Sequence, residues 1–197
     1  MNDNREYRSL ELRLRSEEND YHVEGYASTF EPYVLLTVDG TDYSERIQPD
    51  AFDEADLSDV VFRVDHIGPV YARTSAGTVE LNIDEHGLHN VTDLSKTERA
   101  RELYEDIAAG NYPQRSFAFT VEEDHFDRKT HTRIIDRIGK VFDISAVSFP
   151  ANPTTELSVS TRDYFDGVIE MERAERLETE RREQQKQKLR IMIEMEA

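Results

Sequence analysis

A chain of 197 residues suits one hydrophobic core with an appendage rather than two full domains. It has no Cys and no Trp, which excludes disulfides, thiol catalysis and cysteine-based zinc sites, and no cofactor is expected. A formal charge of −18 argues against a phosphate-neutralising surface, and no apolar run is long enough to cross a bilayer, so neither nucleic acid nor membrane is an expected partner.

In chain order, Tyr7 to Arg15 alternates Leu10, Leu12 and Leu14 with charged neighbours, the pattern of a half-buried strand. A second strand is expected over Tyr21 to Thr29, where Gly25 suggests a bulge or a close backbone approach. Glu31 to Asp42 reads as a loop or irregular hairpin around Asp39-Gly40, before a strand at Tyr43 to Ile47. Pro49 to Glu54 looks like the first turn of a short helix. Ser58 to His66 is then expected as a strand with Val60, Phe62, Val64 and His66 on one face, broken by Gly68-Pro69.

Short meandering strands are expected at Val70 to Arg73, Gly77 to Ile83 and Gly87 to Leu94. Ser95, with Glu98 three residues later, has the spacing of a capping box, and Ala100, Leu103, Tyr104, Ile107 and Ala108 form a helical stripe ended by Gly110. In PQRSFAFTVEE, Pro113 to Glu123, the apolar Phe117, Phe119 and Val121 alternate with Ser116, Ala118 and Thr120. Ser116 therefore faces away from the phenylalanines, beside a small residue that leaves room for a substrate.

Asp124 to Thr130 reads as a polar turn, followed by two strands, HTRIIDRI and GKVFDISAVSFP. Asp143 lies inside the second run, where a carboxylate must be paired or hydrogen-bonded. Pro150 to Pro153 closes the domain, with a last short strand expected at Glu156 to Ser160. Beyond Asp163 the chain is a charged helix by propensity whose apolar positions do not sustain a heptad. The expected organisation is a mainly β (α+β) domain over 1–161, with an antiparallel barrel-like core and peripheral helices, and a charged helical extension over 162–197.

Three side chains form a chemical set. A serine hydroxyl is a weak nucleophile until an imidazole takes its proton, and the imidazole needs a third group to fix its tautomer. His66, Ser116 and Asp143 all sit at or within expected strands of one sheet system and are the candidates for base, nucleophile and acid. A carboxylate that is merely structural remains the alternative for Asp143.

The ordered motifs from about Tyr7 to Thr161 resemble the prohead (procapsid maturation) serine proteases of tailed phages, a family related in fold to the herpesvirus assemblins. The family's G-x-A-x-x-F element is matched by GYASTF at Gly25 to Phe30, and its PGAF-like turn by QPDAF, with Asp50 where Gly is usual. VVFRVDH ends on the position of the family's general base, His66. GTVELNIDEHGL matches a further segment, SFAF places Ser116 at the nucleophile with Ala118 in place of Gly, and DISAVSFPANP places Asp143 where Glu is commoner. The assemblins use a second histidine as third member, so His131 and Asp136 rival Asp143.

The resemblance implies an endopeptidase acting in the host cytoplasm inside the assembling procapsid. Its implied partners are the major capsid protein with its scaffold segments, the chain itself through autoproteolysis, and a second copy through activation by dimerisation. The alternative is a catalytically impaired protein of the same fold serving as procapsid scaffold, and an esterase with the same three residues is a further one. A metal site at His86 with His89, or His125 with His131, lacks a third ligand at suitable spacing and reads instead as turn histidines. The acidic surface leaves an ordinary acidic protein and a high-salt host both open, and stability in molar KCl against dilute buffer separates them.

Overall fold

The computed structural model describes residues 5–11, 13–14, 21–148 and 159–196. The chain divides into two compact units, 1–158 and 159–197. The first is mainly β, as expected. Its strands are β1 (Glu6–Glu11), β2 (Arg13–Leu14), β3 (His22–Thr29), β4 (Tyr33–Val38), β5 (Thr41–Ile47), β6 (Val61–Val64), β7 (Ile67–Arg73), β8 (Val79–Ile83), β9 (Gly87–Asp93), β10 (Gln114–Asp127) and β11 (Thr132–Val147). Helix α1 (Glu98–Ala108) lies between β9 and β10.

The strands form two sheets. One runs in the order β1-β10-β11-β5-β4, with β6 on β11 and β7 on β6, and the other runs β2-β3-β9-β8. Among the described residues no strand pairing closes these ladders into one continuous barrel. The expected first strand is thus divided: β1, ending at Glu11, pairs with β10 in one sheet, and β2, beginning at Arg13, pairs with β3 in the other.

β11 is the strand that positions everything else. It is one run of sixteen residues, not the two strands expected, and it continues through Gly139. Its first half pairs in parallel with β5 and its second half in parallel with β6, while β10 runs antiparallel along its length with four register irregularities. β10 likewise extends to Asp127, so the polar turn is shorter than the sequence suggested. Bulges let two long strands bend and twist as a ribbon while keeping their pairing.

Several local expectations are resolved or corrected. Of the two readings for Glu31 to Asp42, the irregular hairpin is the one found: β4–β5 is turned by Asp39 and Gly40, both at positive φ, and its register shifts between Val34 and Leu36. Pro49 to Glu54 forms successive turns rather than a helix, because Ala51, Asp53 and Ala55 each bond a carbonyl three residues back and the series does not propagate. Gly68-Pro69 does not break the chain. Both lie in β7, which among the described residues pairs with β6 alone, and an edge strand tolerates a residue without an N–H. The N-cap of α1 is Thr97, whose Oγ1 accepts the Ala100 N–H at 3.1 Å, while the Ser95 N–H is held by Asp93. Residues 149–158, which include Pro150 to Pro153 and most of the expected last strand, lie outside the described residues, and Val159 and Ser160 begin a helix instead.

One apolar cluster fills the first unit, drawing on both sheets and α1 through Phe62, Leu88, Leu103, Phe117, Phe119 and Ile144. Phe117 and Phe119 stack with ring centroids 4.4 Å apart, as residues two apart on one face of a strand allow. Their face also carries Arg115, fully buried at the head of the phenylalanine row. Arg115 reaches the second sheet, donating to Asn90 Oδ1 and to the Glu24 carbonyl at 2.6 Å each. This explains Gly25: a Cβ there would sit 3.1 Å from the Arg115 guanidinium. Gly25 thus marks a close approach, and the bulge in β3 comes later, between Tyr26 and Ser28.

The second unit is α2 (Val159–Glu196), a helix of 38 residues. At 1.5 Å per residue it is about 57 Å long. Leu177, Leu189, Ile191, Met192 and Ile193 are exposed along it. Among the described residues no helix is long and apolar enough to cross a membrane.

Candidate active site

β11 places two polar side chains, Asp143 and Ser145, two residues apart on one face, with the apolar Ile144 in the core behind them. On β10, Ser116 lies opposite Ser145 and Ala118 opposite Asp143, so these four share that face. On the other side β6 runs beside β11, with Val61 level with Asp143 and Arg63 level with Ser145. The turn that follows β6 carries His66.

His66 is not on the face of a strand with Phe62 and Val64, as its spacing suggested. Strand β6 ends at Val64, and Asp65-His66 form a two-residue hairpin turn into β7 with φ of 46° and 57°. Positive φ at both central residues is what a tight hairpin of this twist requires, and it is costly for a histidine. Four bonds hold it. The Asp65 N–H donates to the Ala146 carbonyl at 3.0 Å, and the Asp65 carboxylate accepts the Ser148 N–H at 2.9 Å. The His66 N–H donates to Ser145 Oγ at 3.1 Å, and the His66 carbonyl accepts Arg63 Nη1 at 3.1 Å. Strained backbone of this kind persists only where its surroundings over-determine it.

The turn brings the imidazole to Asp143. His66 Nδ1 lies 2.7 Å from Asp143 Oδ1, and the carboxylate is almost wholly enclosed. A carboxylate only accepts, so Nδ1 carries the proton and Nε2 keeps its lone pair when the imidazole is neutral. Ser145 Oγ donates to the same Oδ1 at 2.7 Å. The Tyr7 ring on β1 meets the imidazole edge-on, with centroids 4.5 Å apart.

Ser116 is only 2 % exposed and its Oγ has no hydrogen-bond partner, so the open approach inferred from Ala118 is not present in this state. Among the described residues Ser116 Oγ has no partner, and it lies on the same side of the β10–β11 ribbon as the carboxylate that holds the His66 ring. Immediately before Ser116, burial lowers the Arg115 guanidinium from its ordinary value to about 10, which expresses the cost of a cation held by neutral acceptors.

The rivals for the acid role lie elsewhere. His131 is in the β10–β11 turn with its ring against Tyr43, and Asp136 accepts from His125 Nδ1. Along β11 they are about 40 and 20 Å from Asp143 at the rise of a strand. Among the described residues no group of three or more His, Asp or Glu is placed to hold a metal ion. Ser145, Tyr7, Arg63 and Arg115 escaped the sequence reading. Ser145 alone had a local signal, being two residues after Asp143 in a strand.

The profile of the caudovirus prohead serine proteases matches residues 9–167, a span that includes His66, Ser116, Asp143 and all the strands that carry them. The chain belongs to that family. Prohead proteases are serine hydrolases of viral capsid maturation, and the match runs from within β1 through the rest of the β unit to the start of α2. No curated protein and no solved structure shows significant similarity to the chain.

Proposed function

We propose that the chain is the endopeptidase of a tailed-virus procapsid and that Ser116, His66 and Asp143 perform its chemistry. The observation that carries the residue assignment is the His66–Asp143 contact in a turn held at positive φ, directly across β11 from Ser116. Asp143 fixes the Nδ1–H tautomer and stabilises the imidazolium. His66 Nε2 takes the Ser116 proton as Oγ attacks the scissile carbonyl, then gives it to the leaving amine, and water hydrolyses the acyl-enzyme by the same route. Catalytic hydrogen bonds are often absent in free enzymes and form with substrate, which accords with the unpartnered Ser116 hydroxyl.

The substrates proposed are scaffold segments of the major capsid protein and the chain itself, cut inside the assembling shell. Residues 1–161 carry the protease and 162–197 serve as a helical extension open to cleavage or recruitment; the active form is a homodimer. The second reading, an impaired protease serving as scaffold, is favoured by one observation, the enclosure of Ser116.

Co-expression with the same virus's major capsid protein, beside Ser116→Ala, followed by intact-mass analysis of every product, separates the two. Fragments that appear only with Ser116 support the protease. Whole proteins in both samples, with the chain folded, reject it in favour of the scaffold.

A further inference from the structure

Ser145 is fully buried in the sheet beside the candidate active site, and it contacts two different parts of that site. Its hydroxyl has one proton and two lone pairs. The proton goes to Asp143 Oδ1 at 2.7 Å, because a carboxylate cannot donate, and a lone pair accepts the His66 N–H at 3.1 Å. Both bonds are thereby fixed in direction. One supports the ionised form of the buried carboxylate, and the other satisfies a backbone N–H in a turn at positive φ.

We infer that Ser145 is a positioning residue for the reaction: it couples the Asp143 carboxylate to the backbone of His66 and sets the imidazole against Ser116. This rests on the proposed roles of Ser116, His66 and Asp143. The geometry supports it in three ways. Ser145 is directly opposite Ser116 in the β10–β11 register, so the residue that anchors His66 is also the cross-strand neighbour of the nucleophile. Asp143 Oδ1 receives Ser145 Oγ and His66 Nδ1 together, so the two donors fix the carboxylate plane and, through it, the ring. Arg63, level with Ser145 on β6, bonds the carbonyl of the residue whose N–H Ser145 accepts, so the His66 backbone is held from both ends.

Among the described residues, Tyr7 meets the ring from β1, Arg63 bonds the His66 carbonyl from β6, Asp65 precedes it in the turn with Tyr112 near enough to sense its charge, and β10 carries Ser116 and Ala118 on the same side. Losing the Ser145 donor leaves the Asp143 negative charge less delocalised. The carboxylate then holds the imidazolium more firmly, so the base is released to act only at higher pH. A serine that served packing alone would change stability and the fraction of folded protein, but not this pH limb.

The test uses the full chain and a fluorophosphonate that labels the active serine, its second-order rate measured against pH for wild type, Ser145→Ala, Ser145→Thr and the near-isosteric Ser145→Cys. The expected result is a labelling rate roughly tenfold lower per folded molecule in S145A, with its acid limb displaced upward, by loss of about 1.4 kcal/mol of transition-state stabilisation. S145T, which retains the hydroxyl, recovers most of the rate and the wild-type limb, and S145C, a weak donor, falls between. Should S145A not fold, the order of Cys below Thr and wild type carries the test. S145A or S145C with wild-type rate and limb overturns the inference. Loss of rate in S145A that Thr does not restore, with the limb unmoved, also overturns it. Ser116→Ala and His66→Ala are measured alongside: undiminished labelling in both rejects the parent reading, whereas labelling lost in both and unaffected in S145A rejects the role of Ser145 alone.

Discussion

Glu45 is the centre of a buried ionic network that holds β1 in place, and its replacement by Gln is the sharpest test of what fixes that strand. Its carboxylate accepts Arg8 Nε at 2.5 Å, Arg8 Nη2 at 2.6 Å, Tyr33 Oη at 2.5 Å and Arg133 Nη1 at 3.2 Å, and it is 0 % exposed. Arg133 also bonds Glu6 at 2.8 Å and Asp124 at 2.6 Å, and Arg8 bonds Glu6 at 2.7 Å. Burial works against the charge of both arginines, yet the surrounding carboxylates outweigh it and hold them above their ordinary value.

Gln keeps the shape but removes one negative charge and turns two amide protons toward the guanidinium donors. Breaking a buried pair in this way costs about 3–5 kcal/mol. For a domain of this size that is a fall in Tm of roughly 6–20 °C, at about 2–4 °C per kcal/mol. Thermal and urea unfolding of E45Q give the number, and a cycle with Arg8→Met and the Arg8→Met, Glu45→Gln double variant isolates the coupling of that pair from the bonds that Tyr33 and Arg133 also make to the Glu45 carboxylate. An E45Q protein that melts within about 2 °C of wild type would refute the reasoning. The consequence reaches the site, because β1 sends Glu6 and Arg8 into the network and Tyr7, on its other face, to the His66 ring.

Two further outcomes follow from single positions. At Gly87 a Cβ would lie 2.0 Å from the Ser28 carbonyl oxygen, a collision with backbone, whereas at Gly139 it would meet the movable end of Glu122 at 2.7 Å. Gly87→Ala is therefore expected to cost about 3 kcal/mol or more and Gly139→Ala under about 1 kcal/mol, and equal urea midpoints for the two would contradict this. For Asp93, desolvation raises the carboxyl, but bonds from Lys96 and Ser95 outweigh it and hold the group at about 2, below its ordinary 3.8. After screening by solvent its contribution is under about 1 kcal/mol, full above pH 3.8 and lost as pH falls toward 2. Asp93→Asn should lower stability at pH 7 by that amount and match wild type near pH 2, and a difference that persists at pH 2 would refute the assignment.

Much of the fold was legible because binary patterning is local. The alternation through Phe117, Phe119 and Val121 located β10 and set Ser116 on the face away from the phenylalanines, and the stripe Ala100, Leu103, Ile107 located α1. What was not legible depended on partners distant in sequence. Arg8 meets Glu45 across 37 residues and Arg133 meets Glu6 across 127, so nothing near Arg8 announces that it is buried. The cap of α1 fell at Thr97 rather than Ser95 because Asp93 had already engaged the Ser95 N–H, a competition between two local motifs that spacing alone does not rank. His66 was placed on a strand face because Val60, Phe62 and Val64 alternate up to it, and the turn that redirects it is stabilised from β11, 77 or more residues later.

The same reasoning shows why Asp143 faces His66 at all. Strand period would put Val141 and Asp143 on one side of β11, yet Val141 belongs to the apolar core and Asp143 to the opposite, polar face. The conflict is resolved by an irregularity between them. Ala118 pairs with Asp143 and Phe119 with Val141, which leaves Phe142 as an extra residue, with the Arg5 guanidinium 4.0 Å over its ring. The extra residue inverts the alternation, so Phe119 and Val141 enter the core together while Ala118, Asp143, Ser145 and Ser116 stay on the site side. A regular ladder with Val141 inward would bury Asp143 among the phenylalanines with no imidazole to meet it, and the turn at His66 would lose its anchor on Ser145. The site therefore depends on the register of one strand against two neighbours, β10 bringing the hydroxyl and β6 the imidazole, with the bulge at Phe142 setting which face they meet on.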